Sequence, residues 1–196
     1  LPGENKSMQY TYPDGTDLKD ISLRLLIYDR HTPSIQEMVD KVDITNLEKM
    51  MNDVVGVRHY KSNPEHLIYV GNYINQIMID HGLSIHHQNF TFNNLTFPNL
   101  IGRLEGLNNN KLCLINGHFD SAEFAPGADD NATGLVGVLE AIRVMSDYLF
   151  ENNVQFTSFN LEELGLIGSL NYVSNGIESD QQIVGLINYE LWAFIP

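Results

Sequence analysis

From residue 111 onward the apolar pattern alternates in a way that leaves few folds open. Residues 111–116 are a short strand-like run, 132–150 carry apolar residues at helical spacing, and 154–160 are again strand-like. Residues 166–175 then read as a helix and 183–189 as a strand. A β-α-β-α-β order needs crossover helices, and these build a parallel sheet with helices on its faces. The predicted fold is α/β, three-layered α/β/α, with a mixed, largely parallel central sheet. The helix at 132–150 is expected to bury Leu135, Val138, Leu139, Ile142, Met145 and Leu149.

Upstream, residues 84–92 alternate like a strand and 99–105 form another. The Asn108-Asn109-Asn110 turn leads into 111–116, so these three strands are expected to form a meander. Asn63-Pro64-Glu65 opens a helix with Leu67, Val70, Ile74, Ile77 and Met78 at helical spacing, and His81-Gly82 closes it. Ser34 with Glu37, and Thr45 with Glu48, fit capping boxes for short helices near 35–41 and 46–55. Residues 1–20 are polar and turn-rich, a loose terminus, and 21–29 fit a strand or a short helix equally well. The expected division is an N-terminal extension with the first helix over 1–45 and one domain over 46–196. The chain begins Leu-Pro-Gly, as a processed product would. It stops at Pro196 soon after a strand, which predicts a domain incomplete at its C-terminus.

Charge narrows the partners. Asp and Glu number 25 against 11 Lys and Arg, a formal net charge of −14. Such a surface repels nucleic acid and anionic membranes, and no basic cluster offsets it. No run is long and apolar enough for a membrane span. The single cysteine, Cys113, lies in an apolar run and reads as core packing. Asn5, Asn89, Asn94 and Asn131 head N-x-Ser/Thr triplets, which matter only in a eukaryotic secretory setting.

The chemistry sits where strands end. His118-Phe119-Asp120 follows the strand at 111–116, so both polar side chains can leave it on one side. His118 can then ligate a metal while Asp120 fixes its tautomer. Pro126 to Gly134 lead into the long helix with Asp129 and Asp130 near its start, and Glu162-Glu163 follow the strand at 154–160. One of these glutamates can hold a cation and the other take a proton from water. Taken singly, each signal is an exposed loop or a helix cap. Together, three polar groups at three strand ends converge on one rim of a parallel sheet. Histidine with carboxylates suits zinc rather than calcium or magnesium.

These residues carry a resemblance. Gly117-His118-Phe119-Asp120-Ser121, the segment Pro126-Gly127-Ala128-Asp129-Asp130-Asn131-Ala132-Thr133-Gly134, and Glu162-Glu163-Leu164-Gly165-Leu166-Ile167-Gly168-Ser169 resemble the motifs of the co-catalytic zinc exopeptidases. That family includes bacterial secreted leucyl-type aminopeptidases, glutamate carboxypeptidase II and glutaminyl cyclases. Phe97-Pro98-Asn99-Leu100-Ile101-Gly102 is similar to the family's strand before the metal loops, and the likeness runs from about residue 55 to about 191. The resemblance implies two zinc ions, His118 on one, Asp130 bridging both, Glu163 on the other, Glu162 as general base and Asp120 orienting His118. It implies a cis peptide between Asp130 and Asn131. Glu190 stands where the family has an aspartate ligand, and the family's last ligand, a histidine, falls beyond residue 196. None of His31, His59, His66, His81, His86 and His87 matches a family motif, and they are expected on the surface or satisfied in the core. The implied activity is peptide hydrolysis by a zinc-bridging hydroxide, most simply as an aminopeptidase, secreted or periplasmic, with peptide as substrate. Carboxypeptidase or glutaminyl cyclase activity on the same scaffold is the alternative. A homologue without catalysis, serving as a binding domain, is the non-enzymatic one.

Overall fold

Local capping chemistry sets the first helices of this computed structural model, which describes residues 31–177 and 181–191. The readings at 1–20, at 21–29, at Asn5 and at 192–196 lie outside the described residues. Helix α1 (Ile35–Val39) begins at the expected capping box: the Ser34 hydroxyl accepts the Glu37 N–H and the Glu37 carboxylate accepts the Ser34 N–H. Helix α2 (Ile44–Val54) starts two residues before the expected position. Asp43 caps it by accepting the Thr45 N–H, and the Asp43 N–H is itself held by the buried Glu140 carboxylate at 2.8 Å. That tertiary anchor fixes the entry point, so the Thr45–Glu48 box is not used. Helix α3 (Pro64–Asp80) opens on Asn63, which accepts the His66 N–H, and buries Leu67, Val70, Ile74 and Met78.

Six strands follow: β1 (Ser84–Ile85), β2 (Gln88–Phe92), β3 (Leu95–Leu104), β4 (Asn108–His118), β5 (Asn152–Phe159) and β6 (Gln182–Asn188). Helix α4 (Gly134–Met145) joins β4 to β5, and α5 (Ile167–Asn175) joins β5 to β6. The sheet runs β1-β3-β5-β4-β6, with β2 also on β3. β4 is parallel to both β5 and β6, while β1, β2 and β5 run antiparallel to β3. The sheet is therefore mixed, with its parallel half at the β4 end.

Three expectations change. The meander does not form, because β5 lies between β3 and β4. Positions 153 to 158 of β5 are all buried, and such a strand needs neighbours on both edges and cover on both faces. The hairpin that exists is β2–β3, turned at Asn93 and Asn94 with φ of 49° and 62°, the left-handed geometry that matches strand twist. The strand read over 84–92 breaks at His86 and His87, where the His87 ring takes the place of a ladder carbonyl: its Nδ1 accepts the Ile101 N–H at 3.0 Å. The helix read over 132–150 runs only from Gly134 to Met145, after a wide kinked turn (Ala128–Thr133) in which Asp130 and Asn131 leave helical angles, so Leu149 lies beyond it and is half-buried.

Alternation along the strands feeds a core on each face of the sheet, with a smaller cluster of Phe90, Phe97 and Leu161 beside the β2–β3 hairpin. Leu100, Ile115, Val154 and Phe156 pack with α2, α3 and α4 through Val54, Val70, Ile74, Leu135 and Leu139. On the opposite face Ile101, Leu112 and Leu114 meet Tyr172 of α5. Burying Phe156 completely is the kind of contact whose loss to alanine costs about 3–5 kcal/mol. Because α4 and α5 lie on opposite faces, the chain leaves β4 toward β5 on one side and reaches β6 on the other. The C-terminal end of β4 is thus the switch point of the sheet, where open α/β folds leave a crevice for ligands. No helix among the described residues is long and apolar enough to cross a membrane.

Candidate metal centre

His118 is the last residue of β4, and its ring is nearly inaccessible, at 1% exposure. Nε2 faces the rim and lies 3.0 Å from Asp130 Oδ1, 3.0 Å from Glu190 Oε1 and 3.7 Å from Glu162 Oε2. Nδ1 faces the buried Asp120, whose Oδ1 is 3.4 Å away, an ion-pair contact longer than an ordinary hydrogen bond. Asp120 also does something that its spacing from His118 does not reveal. Its two oxygens accept the backbone N–H groups of Glu162 and Glu163 at 3.0 and 3.1 Å. One carboxylate therefore ties the end of β4 to the short turn Glu162–Leu164 that follows β5. Leu161, just before that turn, is held in the left-handed region at φ 56°, an unfavourable conformation for leucine that the Asn160 side chain supports by accepting its N–H.

Asp130 and Glu190 are brought together by Asn131. Its Nδ2 donates to the Tyr189 carbonyl at 2.9 Å and its Oδ1 accepts the Gly134 N–H at 3.0 Å. Gly134 must be glycine for this approach, since a Cβ there would lie 2.1 Å from Asn131 Oδ1 and 2.5 Å from the Tyr189 oxygen. Tyr189 in turn donates its N–H to Asn116 at 2.8 Å, which carries the β4–β6 pairing up to Glu190. The Asp130–Asn131 peptide is cis.

The ligand atoms of His118, Asp130 and Glu190 all lie within 4.8 Å of one another. Two atoms bound to one zinc at about 2.0–2.2 Å are at most about 4.4 Å apart, so a small closing movement places all three around one ion. The extra methylene of Glu190, compared with aspartate, does not carry its carboxylate away from His118. Glu163 stands outside this group, linked to it through Asp120 and through the charge of Asp130, the foremost charge acting on it after burial itself. The structure thus gathers His118, Asp130 and Glu190, sets Glu162 beside them and Asp120 beneath, and leaves Glu163 adjacent.

The electrostatics suit a divalent cation. Burial pulls the His118 pKa down, but Asp120, Glu190 and Glu162 outweigh it and push the imidazole up to about 9. Burial, with the crowd of neighbouring carboxylates, raises Glu162 and Glu163 above the usual range, although His118 pulls both back. A divalent ion would take over the role of the His118 proton and neutralise the cluster.

The other histidines are engaged elsewhere or open to solvent. His87 accepts from Ile101 on Nδ1 and pairs with Asn75 Oδ1 through Nε2, His81 contacts Ser146, His66 stacks on Tyr69, and His59 meets Ser62. His31 pairs with Glu37, and His86 is exposed. Cys113 is half-buried. Sequence reasoning missed Asn131 as a tie and missed Arg58 altogether. Arg58 is a fully buried cation; burial lowers its pKa to about 10 while Asp120, Asp130 and Glu163 hold it up. Its only sequence signal is a lone arginine between Val57 and His59.

Known proteins share this stretch. The profile of Peptidase family M28 matches residues 99–194, a span that contains every residue of the site. Aminopeptidase YwaD of Bacillus subtilis (strain 168) is 35% identical over 91 residues, 45% of this chain and 20% of that protein. Leucine aminopeptidase 2 of Trichophyton rubrum is 32% identical over 84 residues, 43% of this chain and 17% of that protein. The matched region is therefore about a fifth of these relatives' length. Among solved structures, the glutaminyl cyclase of Macrostomum lignano superposes with a TM-score of 0.65 at 16% identity, covering 82% of this chain and 57% of that one. The LapA aminopeptidase of Legionella pneumophila gives 0.65 at 16% identity, covering 81% and 46%. At such identity these two speak for the α/β fold alone. Residues 99–194, which hold His118, Asp120, Asp130, Glu162, Glu163 and Glu190, are thus similar to Peptidase family M28.

Proposed function

We propose that this chain provides the metal centre of a zinc-dependent exopeptidase, most simply an aminopeptidase. The observation that carries this reading is the convergence of His118, Asp130 and Glu190 on one point, with Glu162 Oε2 only 3.7 Å from the same histidine nitrogen. His118, Asp130 and Glu190 would hold one zinc; Asp130, shared with Glu163, would hold a second. Zinc at such a site lowers the pKa of water and polarises a peptide carbonyl. Asp120 keeps the His118 ring oriented and fixes the turn that carries Glu162. Glu162 is half-buried with a raised pKa, which makes it a stronger base than a solvated carboxylate. It takes a proton from the attacking water and returns it to the leaving amine as the C–N bond breaks, releasing a free amino acid and a shortened peptide.

We place the catalytic unit over 46–196, with 1–45 as an extension, and the working compartment outside the cytoplasm, as in the exported aminopeptidases it resembles. Glu162→Gln should cut turnover by about 10²–10⁴-fold while zinc binding persists. Substantial activity in that variant would exclude Glu162 as the base. A panel of amino-acid amides against peptides with N-terminal glutamine, read alongside zinc per chain, separates an aminopeptidase from a single-zinc cyclase.

A further inference from the structure

Beneath the loop that joins His118 to Asp130 lies the buried side chain of Arg58. Its guanidinium makes five hydrogen bonds, all to backbone carbonyls. Nε donates to Phe119 at 2.8 Å, Nη1 to Val54, Gly56 and Pro126 at 3.0, 2.8 and 3.0 Å, and Nη2 to Gly127 at 2.8 Å. Burying a cation with carbonyls as its only hydrogen-bond partners is costly, and a site that needed only packing would use an apolar side chain. The acceptors explain the choice. Phe119 lies between His118 and Asp120, and Gly127 lies three residues before Asp130. The Arg58 backbone grips the same loop: its N–H donates to Ser121 Oγ at 2.9 Å and its carbonyl accepts the Ser121 N–H at 3.0 Å. Gly127, at φ 58°, lets the loop close over the guanidinium, since a Cβ there would lie 2.7 Å from Arg58 Nη2.

We propose that Arg58 is a positioning residue for the metal centre: one buried guanidinium, bonded to the carbonyls of Phe119, Pro126 and Gly127, sets the separation of the two loop ends that carry His118 and Asp130. The inference rests on the reading of those two residues as zinc ligands. A planar fork with five donors spans these carbonyls; the point-like ammonium of lysine cannot reach them together.

The test uses the full chain and three variants: Arg58→Lys, Arg58→Ala and, as a control, Glu140→Gln. Glu140 is buried away from the loop and paired with Arg143 and the Asp43 N–H. Zinc affinity is measured by competition with a chromophoric chelator, the visible spectrum is recorded with cobalt(II) in place of zinc, and the metal-free melting temperature is followed. Arg58→Lys should bind zinc about 10–100-fold more weakly and shift the cobalt bands, because the ligands no longer meet at the same spacing. Millimolar methylguanidinium, but not ammonium at equal ionic strength, should restore part of the affinity of Arg58→Ala. If that variant does not fold, Arg58→Lys and its cobalt spectrum decide alone. Glu140→Gln should lower the melting temperature and leave zinc affinity unchanged. Unaltered zinc affinity and cobalt spectrum in Arg58→Lys would overturn the proposal while leaving the metal centre standing. So would an affinity loss that merely tracks melting temperature through all the variants. A wild-type chain that binds no zinc would overturn the metal centre and the proposal together.

Discussion

The two halves of the His118–Asp130–Glu190 group are held in different ways. On one side, His118 is buried at the end of a central strand, Asp120 ties it to the turn after β5, and Arg58 clamps the loop leading to Asp130. On the other, Glu190 follows β6, an outer strand of the described sheet, whose Ile183, Val184, Leu186 and Ile187 stand 38–61% exposed. Glu190 is kept near His118 chiefly by two backbone tethers at Tyr189, one to Asn116 and one to Asn131. Buried polar wiring fixes the first half independently of packing. The second half depends on two bonds to the Tyr189 backbone. A metal site can thus be held by many buried polar contacts on one side and by few on the other.

The variants that separate the halves follow from this. His118→Ala removes the residue on which every close contact of the group converges, so zinc affinity should fall by more than about 100-fold in a chelator competition, beyond what loss of a supporting residue does. Asp120→Asn keeps the shape but weakens the support of both His118 and the Glu162 turn; about 10–100-fold weaker zinc binding is expected. An effect confined to turnover would show that Asp120 serves Glu162 alone.

Per pH unit, the pH dependence comes next in size. In the metal-free chain the His118 pKa is raised from 6.5 to about 9, so the stability it contributes is complete below pH 6.5 and is lost as pH rises through about 9. Zinc needs the neutral imidazole and must displace that proton, so its affinity runs the opposite way. It should climb by about tenfold per pH unit toward pH 9 and then level, as read by calorimetric titration with proton release. A flat profile would mean that His118 is not a ligand. The smallest effect belongs to the second half. Glu190→Asp keeps the carboxylate and the two Tyr189 tethers and removes one methylene, and should change zinc affinity by less than about tenfold. A collapse in affinity would show that the reach of Glu190 is set as tightly as that of His118.

Local signals made much of this molecule legible. The crossover order from residue 111, the Asn63 cap and the buried stripe of α3 all follow from spacing within a few residues. His118, Asp120 and the glutamate pair could be read because each directly follows an apolar strand, whereas Asp130 lies on the loop from β4 to α4 and has no strand end of its own. What stayed hidden is non-local. β5 inserts between β3 and β4 because its residues are buried on both faces, which no local pattern assigns to a particular neighbour. Arg58 finds its acceptors 61 to 69 residues away at Phe119, Pro126 and Gly127, and its single-letter context carries no period or motif. The break at His86–His87 depends on an imidazole standing in for a carbonyl, a substitution that propensity does not encode.

One zinc should sit where His118, Asp130 and Glu190 meet. Anomalous diffraction at the zinc edge, from crystals of the zinc-loaded chain, tests it most directly. A peak should appear about 2.0–2.2 Å from His118 Nε2 and from a carboxylate oxygen of each of Asp130 and Glu190. A zinc-loaded crystal with no anomalous peak on His118, or with its peak on other histidines such as His81 or His87, would contradict it.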